Sequence, residues 1–219
     1  MDYKAAREAM VDSQIHPMGV SSERILNAFL NVPREEFVPD ALKDVCYCDE
    51  DIQVAPGRYL MEPSVFARLI QEAKISPEDA VLTIGSGIGY NAAILAHLCG
   101  TVVALEDQEE LVKTAQESWN TLDIANIAAI SGELIKGAPK YAPYDAIIFN
   151  GAISELPAEI AQDLKVGGKI LAIIRKKGLG LAQATLFEKN GEESLSSRLL
   201  FEAGTPYLSG FAPSKEFVF

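Results

Sequence analysis

Two features of this chain combine residue types and spacing suited to holding a small polar ligand. The first is Gly85-Ser86-Gly87-Ile88-Gly89, which ends the apolar run Val81-Leu82-Thr83-Ile84 and leads into Asn91-Ala92-Ala93-Ile94-Leu95-Ala96. Glycine lacks a Cβ and tolerates positive φ, so such a backbone turns sharply and can approach a ligand at van der Waals distance. The second is Glu106, which closes the run Thr101-Val102-Val103-Ala104-Leu105. A carboxylate at a strand end there can accept hydrogen bonds from both hydroxyls of a ribose. The pair predicts a nucleotide-type pocket with Glu106 as the ribose ligand. A strand, a glycine turn, a helix and a second strand ending in an acid, in that order, say more than a glycine-rich turn alone.

The spacing narrows the ligand. A dinucleotide fingerprint has its third glycine three residues after the second, and that position is Tyr90. The pattern is GxGxG, which resembles the first motif of S-adenosylmethionine (SAM) dependent methyltransferases and implies SAM held by Gly85, Ser86, Gly87 and Gly89. Holding such a turn takes an α/β scaffold, and the rest of the chain supplies one. Residues 2–14 show helical spacing, His16-Pro17-Met18-Gly19 reads as a turn, and a second helix begins near Ser21 and ends at Val32-Pro33. A third helix starts at Pro63-Ser64, with Val65, Phe66, Leu69 and Ile70 on one stripe. Leu111, Val112, Ala115 and Trp119 mark a helix after Glu106, where Trp119 reads as packing, and Asn126 to Ile130 is a third strand. Tyr144 to Phe149 is the fourth strand, Glu155 to Leu164 a helix closed by Val166-Gly167-Gly168, and Lys169 to Ile174 the fifth strand. Gln183 to Phe187 and Leu195 to Phe201, with Asn190-Gly191 as the hairpin signal, predict antiparallel strands closing the sheet edge. Phe211, Phe217 and Phe219 in the tail are placed to cover the pocket or dock on the core.

Composition excludes several classes. With 219 residues, 48% of them apolar and 23% charged, the chain can bury one good core and is not largely disordered. A formal net charge of −12 with no Lys/Arg cluster opposes the phosphate neutralisation on which nucleic-acid binding depends. Val81 to Leu105 is long and nearly uncharged, yet its glycines and its change of periodicity favour strand, turn, helix and strand over a membrane span. The charged start, Met1 to Glu8, lacks the apolar centre of a signal peptide, so the expected location is cytoplasmic. Cys46, Cys48 and Cys99 form no disulfide framework, Cys46 and Cys48 are too close for a CxxC pair, and His16 and His97 offer no zinc pattern. No metal is expected.

Val32-Pro33-Arg34-Glu35-Glu36-Phe37-Val38-Pro39 resembles a phrase in the N-terminal region of the protein-L-isoaspartate O-methyltransferases. The resemblance extends to Met10-Val11, Gln14-Ile15, Tyr47 with Asp49, the glycine turn and Ala142-Pro143-Tyr144-Asp145, about three quarters of the chain. It implies methylation of a carboxylate on damaged protein or peptide. It further places Gly132 and Glu133 at the adenine, where the family has Gly-Asp-Gly, and Asn150 where the family has small residues facing the reacting methyl. Asn150-Gly151 is equally a common turn pair.

Departures from the family fall in the pocket. The family's Gly-Gln-Thr-x-Ser-x-Pro reads Gly57-Arg58-Tyr59-Leu60-Met61-Glu62-Pro63 here, so Tyr59 and Met61 replace two hydroxyls that would orient a carboxylate. Arg58 or the Tyr59 hydroxyl offers another anchor, since a guanidinium grips a carboxylate through a bidentate fork; the alternative is that Arg58 is a solvated loop residue and Met61 fills core. Thr83 replaces a usual acid near the ammonium of the cofactor. The predicted fold is a doubly wound, Rossmann-like methyltransferase sheet, mostly parallel with an antiparallel C-terminal edge, preceded by N-terminal helices. One domain spans 1–219: a helical, substrate-side segment (1–75), a cofactor-binding core (76–175), and antiparallel strands with a tail (176–219). The predicted function is a SAM-dependent protein carboxyl methyltransferase with Arg58, Tyr59, Met61 and Asn150 on the substrate side. A methyltransferase with another acceptor and a non-catalytic SAM-binding descendant are the alternatives.

Overall fold

The computed structural model describes residues 1–177 and 182–213. Helix α1 (Tyr3–Met10) is capped by the Asp2 carboxylate on the Ala5 amide and runs on into a π-helical turn, Val11–Ile15. Helix α2 (Glu23–Asn31) stops one residue before Val32-Pro33, as proline requires. A two-stranded antiparallel hairpin follows, β1 (Ile52–Ala55) and β2 (Arg58–Leu60), turning at the exposed Pro56-Gly57. Helix α3 (Pro63–Ala73) then leads to the main sheet.

That sheet has seven strands: β3 (Ala80–Ile84), β4 (Thr101–Glu106), β5 (Ile127–Ser131), β6 (Tyr144–Ile153), β7 (Leu164–Ile174), β8 (Gln183–Gly191) and β9 (Ser194–Glu202). Their spatial order is β5-β4-β3-β6-β7-β8-β9. Pairing is parallel from β5 across to β7 and antiparallel from β7 to β9, the predicted edge. The chain winds outward from β3 through β4 to β5, then returns to β6 on the other side of β3. In such a sheet the direction reverses at β3, and ligands bind outside the carboxyl ends of the strands at that point.

Strand alternation divides the core in two. Val81, Val102, Ala104, Ala146, Ile148, Leu171 and Ile173 face a layer containing Phe29, Phe66, Leu69, Ile94 and Trp119, from α2, α3, α4 (Tyr90–Ala96) and α5 (Glu109–Thr121). Leu82, Ile84, Val103, Leu105, Ile147, Phe149, Ile170 and Ala172 face the opposite layer. That layer is built of short pieces: 3₁₀ turns at Leu134–Lys136 and Pro139–Tyr141, the five-residue helix α6 (Ala158–Gln162), and the segment carrying Leu208 and Phe211.

The strands and helices differ from expectation in four places. Strand β6 continues through Asn150-Gly151, with Ala152 opposite Ile173 and Ile153 opposite Ile174, so that pair is not a turn. Helix α6 is shorter than Glu155 to Leu164 because Pro157 is its extended N-cap and the apolar Leu164 buries itself as the first residue of β7. The β8–β9 hairpin turns at Glu192-Glu193, closed by Gly191 opposite Ser194, and not at Asn190-Gly191. Hairpin β1–β2 and the 3₁₀ turn Asp40–Val45 were not foreseen, being too short to show a period. Phe211 docks edge-on against Phe149, with ring centroids 5.4 Å apart. Phe217 and Phe219 lie outside the described residues.

Candidate active site

The glycine turn sits between β3 and α4 at the carboxyl end of the sheet, and two neighbours fix its shape. The amides of Gly85 and Ser86 both donate to the Leu105 carbonyl at the end of β4 (2.9 and 3.1 Å). From α5, the Trp119 indole N–H donates to the Gly89 carbonyl (2.9 Å). Gly89 has φ +92°, and a Cβ there would lie 2.6 Å from the Trp119 ring. Trp119 therefore does more than pack: it sets the point where the turn becomes helix. Gly85, with φ +74°, is equally constrained, since a Cβ would collide with Leu208. The Leu208 backbone is held by β6, its amide donating to the Ala152 carbonyl (2.8 Å).

Glu106, 1% exposed, ends β4 beside this turn. Its carboxylate accepts from the Gly87 amide (2.8 Å), and from the amides of Asp107 (3.0 Å) and Gln108 (3.1 Å). It also faces Arg58, from the start of β2. The guanidinium Nε lies 3.0 and 2.9 Å from the two oxygens, and Nη2 lies 2.8 Å from Oε1 while also contacting Asp107. Both side chains of this pair are 2% exposed. Burial alone would push the Glu106 carboxyl up, but the hydrogen bonds and charge of Arg58, with Asp107 and the Gly87 amide, hold it below the usual carboxylate range. Asp107, more open to solvent, moves the other way: desolvation first, then contact with Glu106, pushes it up.

A polar chain lies beneath the turn. The Asn150 amide donates to the Thr83 hydroxyl (2.6 Å) and the Ile84 carbonyl (3.1 Å), and its own oxygen accepts from the Asn91 amide (2.8 Å). All three side chains are buried. The Ser86 hydroxyl and the Asn91 amide oxygen are buried without a hydrogen-bond partner, so polar capacity is left over at this turn.

The residues singled out from the sequence separate into groups. Gly85, Ser86, Gly87, Gly89, Glu106 and Arg58 converge on one point, with Thr83 and Asn150 directly behind. Arg58 stands on the Glu106 carboxylate, not apart from it. The Gly132 amide donates to the Glu106 backbone carbonyl (3.0 Å), while Glu133 is exposed on the rim and pairs with Lys136 at 2.5 Å. Met61 is buried in the core, with its carbonyl accepting from Arg34 Nη2 (3.0 Å), and Tyr59 is half-buried opposite Gln53. Arg34 lies over the Tyr90 ring, 4.8 Å from its centroid, and donates to the Cys46 carbonyl (2.6 Å), which gives the Pro33–Pro39 phrase a structural role. Asp107, Asn91 and Leu208 were missed. Asp107 had a signal in its place beside Glu106 and Asn91 one in the polar start of an apolar helix; Leu208 had none.

Comparison with known proteins gives a consistent result. A family model described as Protein-L-isoaspartate(D-aspartate) O-methyltransferase (PCMT) matches residues 5–203. The Protein-L-isoaspartate O-methyltransferase of Picosynechococcus sp. is 33% identical over 205 residues, 93% of this chain and 92% of that one. A protein of the same name from Roseiflexus castenholzii is 31% identical over 217 residues, 99% of this chain and 98% of that one. A solved structure named protein-L-isoaspartate O-methyltransferase superposes with a TM-score of 0.80 at 28% identity, over 93% of this chain and 66% of that chain. A PCMT from Plasmodium falciparum, solved in complex with S-adenosyl-L-homocysteine (SAH), gives a TM-score of 0.79 over 95% of this chain and 99% of that one; its identity of 20% speaks for the fold alone.

Proposed function

Since the chain belongs to the protein-L-isoaspartate(D-aspartate) O-methyltransferase family, we propose that it transfers a methyl group from SAM to the carboxylate of an isoaspartyl residue in damaged protein or peptide. The observation that carries this reading is the meeting of the glycine turn with Glu106, joined by the Gly87 amide at 2.8 Å. The local chemistry suits a nucleoside: an ionised buried carboxylate for a diol, a glycine cradle, and the unpartnered Ser86 hydroxyl and Asn91 oxygen beside it. In this reading Gly85, Ser86, Gly87 and Gly89 form the floor, Glu106 takes the ribose, and Gly132 and Glu133 edge the adenine. Thr83 and Asn150 brace the floor from behind. Bound there, the cofactor supplies a methyl group activated on a sulfonium.

The acceptor side needs little chemistry of its own. A carboxylate is already a nucleophile at neutral pH, so no general base is required, and orientation with exclusion of water can supply most of the acceleration. Hairpin β1–β2, with Tyr59 half-buried on it, is the element nearest in sequence to the replaced hydroxyls and forms the substrate side of this reading. The free thiols of Cys46, Cys48 and Cys99 accord with a reducing, cytoplasmic setting.

The test is transfer of labelled methyl from SAM to an isoaspartyl peptide, with the matched aspartyl peptide as control. Base-labile label on the isoaspartyl peptide alone is expected. A no-peptide control is needed because Asn190-Gly191 has an exposed asparagine and can deamidate in the enzyme itself. SAH binding without transfer to either peptide would favour a binding descendant, and label on a different nucleophile would assign another acceptor.

A further inference from the structure

Arg58 raises a question that the family resemblance does not answer, because it occupies the carboxylate that a ribose would need. Its guanidinium contacts both Glu106 oxygens, adds Asp107, and donates Nη1 to its own neighbour's carbonyl, Gly57 (2.8 Å). Counting the Gly87, Asp107 and Gln108 amides, the Glu106 carboxylate has its acceptor sites filled by the chain itself. A diol cannot be added to that set; it has to replace part of it. The backbone amides belong to the glycine turn and to the two residues that join β4 to α5, so the displaceable partner is the Arg58 side chain.

We propose that Arg58 is an internal competitor for the cofactor's ribose: SAM or SAH binds as the guanidinium lets go of Glu106, keeps Asp107, and lifts the β1–β2 hairpin from the mouth of the site. The proposal rests on the cofactor reading above. Three observations carry it. Asp107 is the more exposed acid, with a side chain 35% open to solvent, so a guanidinium that releases Glu106 still has a partner nearer the water. The hairpin is small, with an irregular register between Gln53 and Ala55, and is not paired to the main sheet. Its tip is exposed at Pro56-Gly57, next to the buried Arg58, and that end is also tied by a hydrogen bond from the Gln108 side-chain amide to the Pro56 carbonyl (3.1 Å).

The exchange also orders the two ligands. While Arg58 is paired with both Glu106 and Asp107 its donors are taken up, whereas a guanidinium held by Asp107 alone has N–H groups left for an incoming carboxylate beside the replaced hydroxyls. Cofactor would then bind first and make the acceptor anchor available.

Calorimetric titration of SAH into the full-length protein and its Arg58→Gln variant, with amide hydrogen exchange on both, tests this. The variant is expected to bind SAH about tenfold more tightly, a gain of about 1.4 kcal/mol. In the parent protein SAH should speed exchange of amides in residues 52–60, and in the variant those amides should already be fast. Equal or weaker binding by the variant, or parent hairpin amides that fail to speed up, overturns the competition and leaves the cofactor reading standing. Failure of both proteins to bind SAH removes the cofactor reading and the proposal together. Should the variant not fold, the parent exchange result decides alone.

Discussion

At the scale of single residues, the site is organised by one buried carboxylate. Glu106 and Arg58 are both almost fully removed from water, and for such pairs the loss of one partner costs more than the pair contributes, because the other charge is stranded. Glu106→Gln keeps the shape and removes the charge. It is expected to lower unfolding free energy by about 3 kcal/mol, the low end for breaking a buried pair because Asp107 still neutralises Arg58. SAH affinity should fall at least tenfold, since a charge-assisted hydrogen bond of about 1.5–3 kcal/mol is weakened. Urea denaturation and calorimetry check the two effects separately. Glu106 was legible in the sequence because a strand end followed by a charge is a local pattern. The partner was not: Arg58 is 48 positions away, and residue type alone could equally have assigned it to the substrate.

At the scale of elements, long periodic segments were read well and short ones poorly. β3 and β4 bury both faces and so read as continuous apolar runs, located by the glycine turn and the acid that end them, while α3 and α5 are located by apolar stripes at helical period. Hairpin β1–β2, with strands of four and three residues, has too few positions for a period. Helix α6 was over-extended because Leu164 fits a helical stripe and a buried strand start equally well, and tertiary pairing with Tyr144 decides for the strand. The glycine turn itself is fixed from outside, by β4 and by Trp119 on α5. Trp119→Phe keeps the ring over Gly89 and removes the indole N–H. The Gly89 carbonyl retains the Ala93 amide at 3.0 Å, so the expected cost is about 1 kcal/mol in urea, with a measurable loss of SAH affinity as the turn loosens. Unchanged affinity would show that the turn is set by β4 alone.

At the scale of the whole molecule, acidity governs the pH response. The chain carries a formal net charge of −12, and self-repulsion of that charge opposes compactness. Desolvation is the largest cause pushing the carboxyls of Asp51, Glu62, Asp107 and Asp163 up. Each binds its proton more readily in the folded state, so stability rises as pH falls through the raised values toward the unfolded range near about 4. Glu106 has the opposite sign: its folded value is depressed, so its contribution is complete above about pH 4.3 and lost as pH falls further, through the folded value. The melting temperature is therefore expected to increase as pH is lowered from neutrality through the raised carboxyl values, and to drop below about pH 4. A melting temperature that falls steadily from pH 8 would contradict the raised carboxyls. No helix among the described residues is long and apolar enough to cross a membrane, and no group of three or more metal-ligating side chains occurs among them.

A crystal structure of the protein with SAH will show whether the glycine turn and Glu106 form the SAM site. Both ribose hydroxyls are predicted to lie within hydrogen-bond distance of the Glu106 carboxylate, with the Arg58 guanidinium on Asp107. SAH bound away from the turn, with the Arg58–Glu106 pair intact, would remove the cofactor site from the glycine turn.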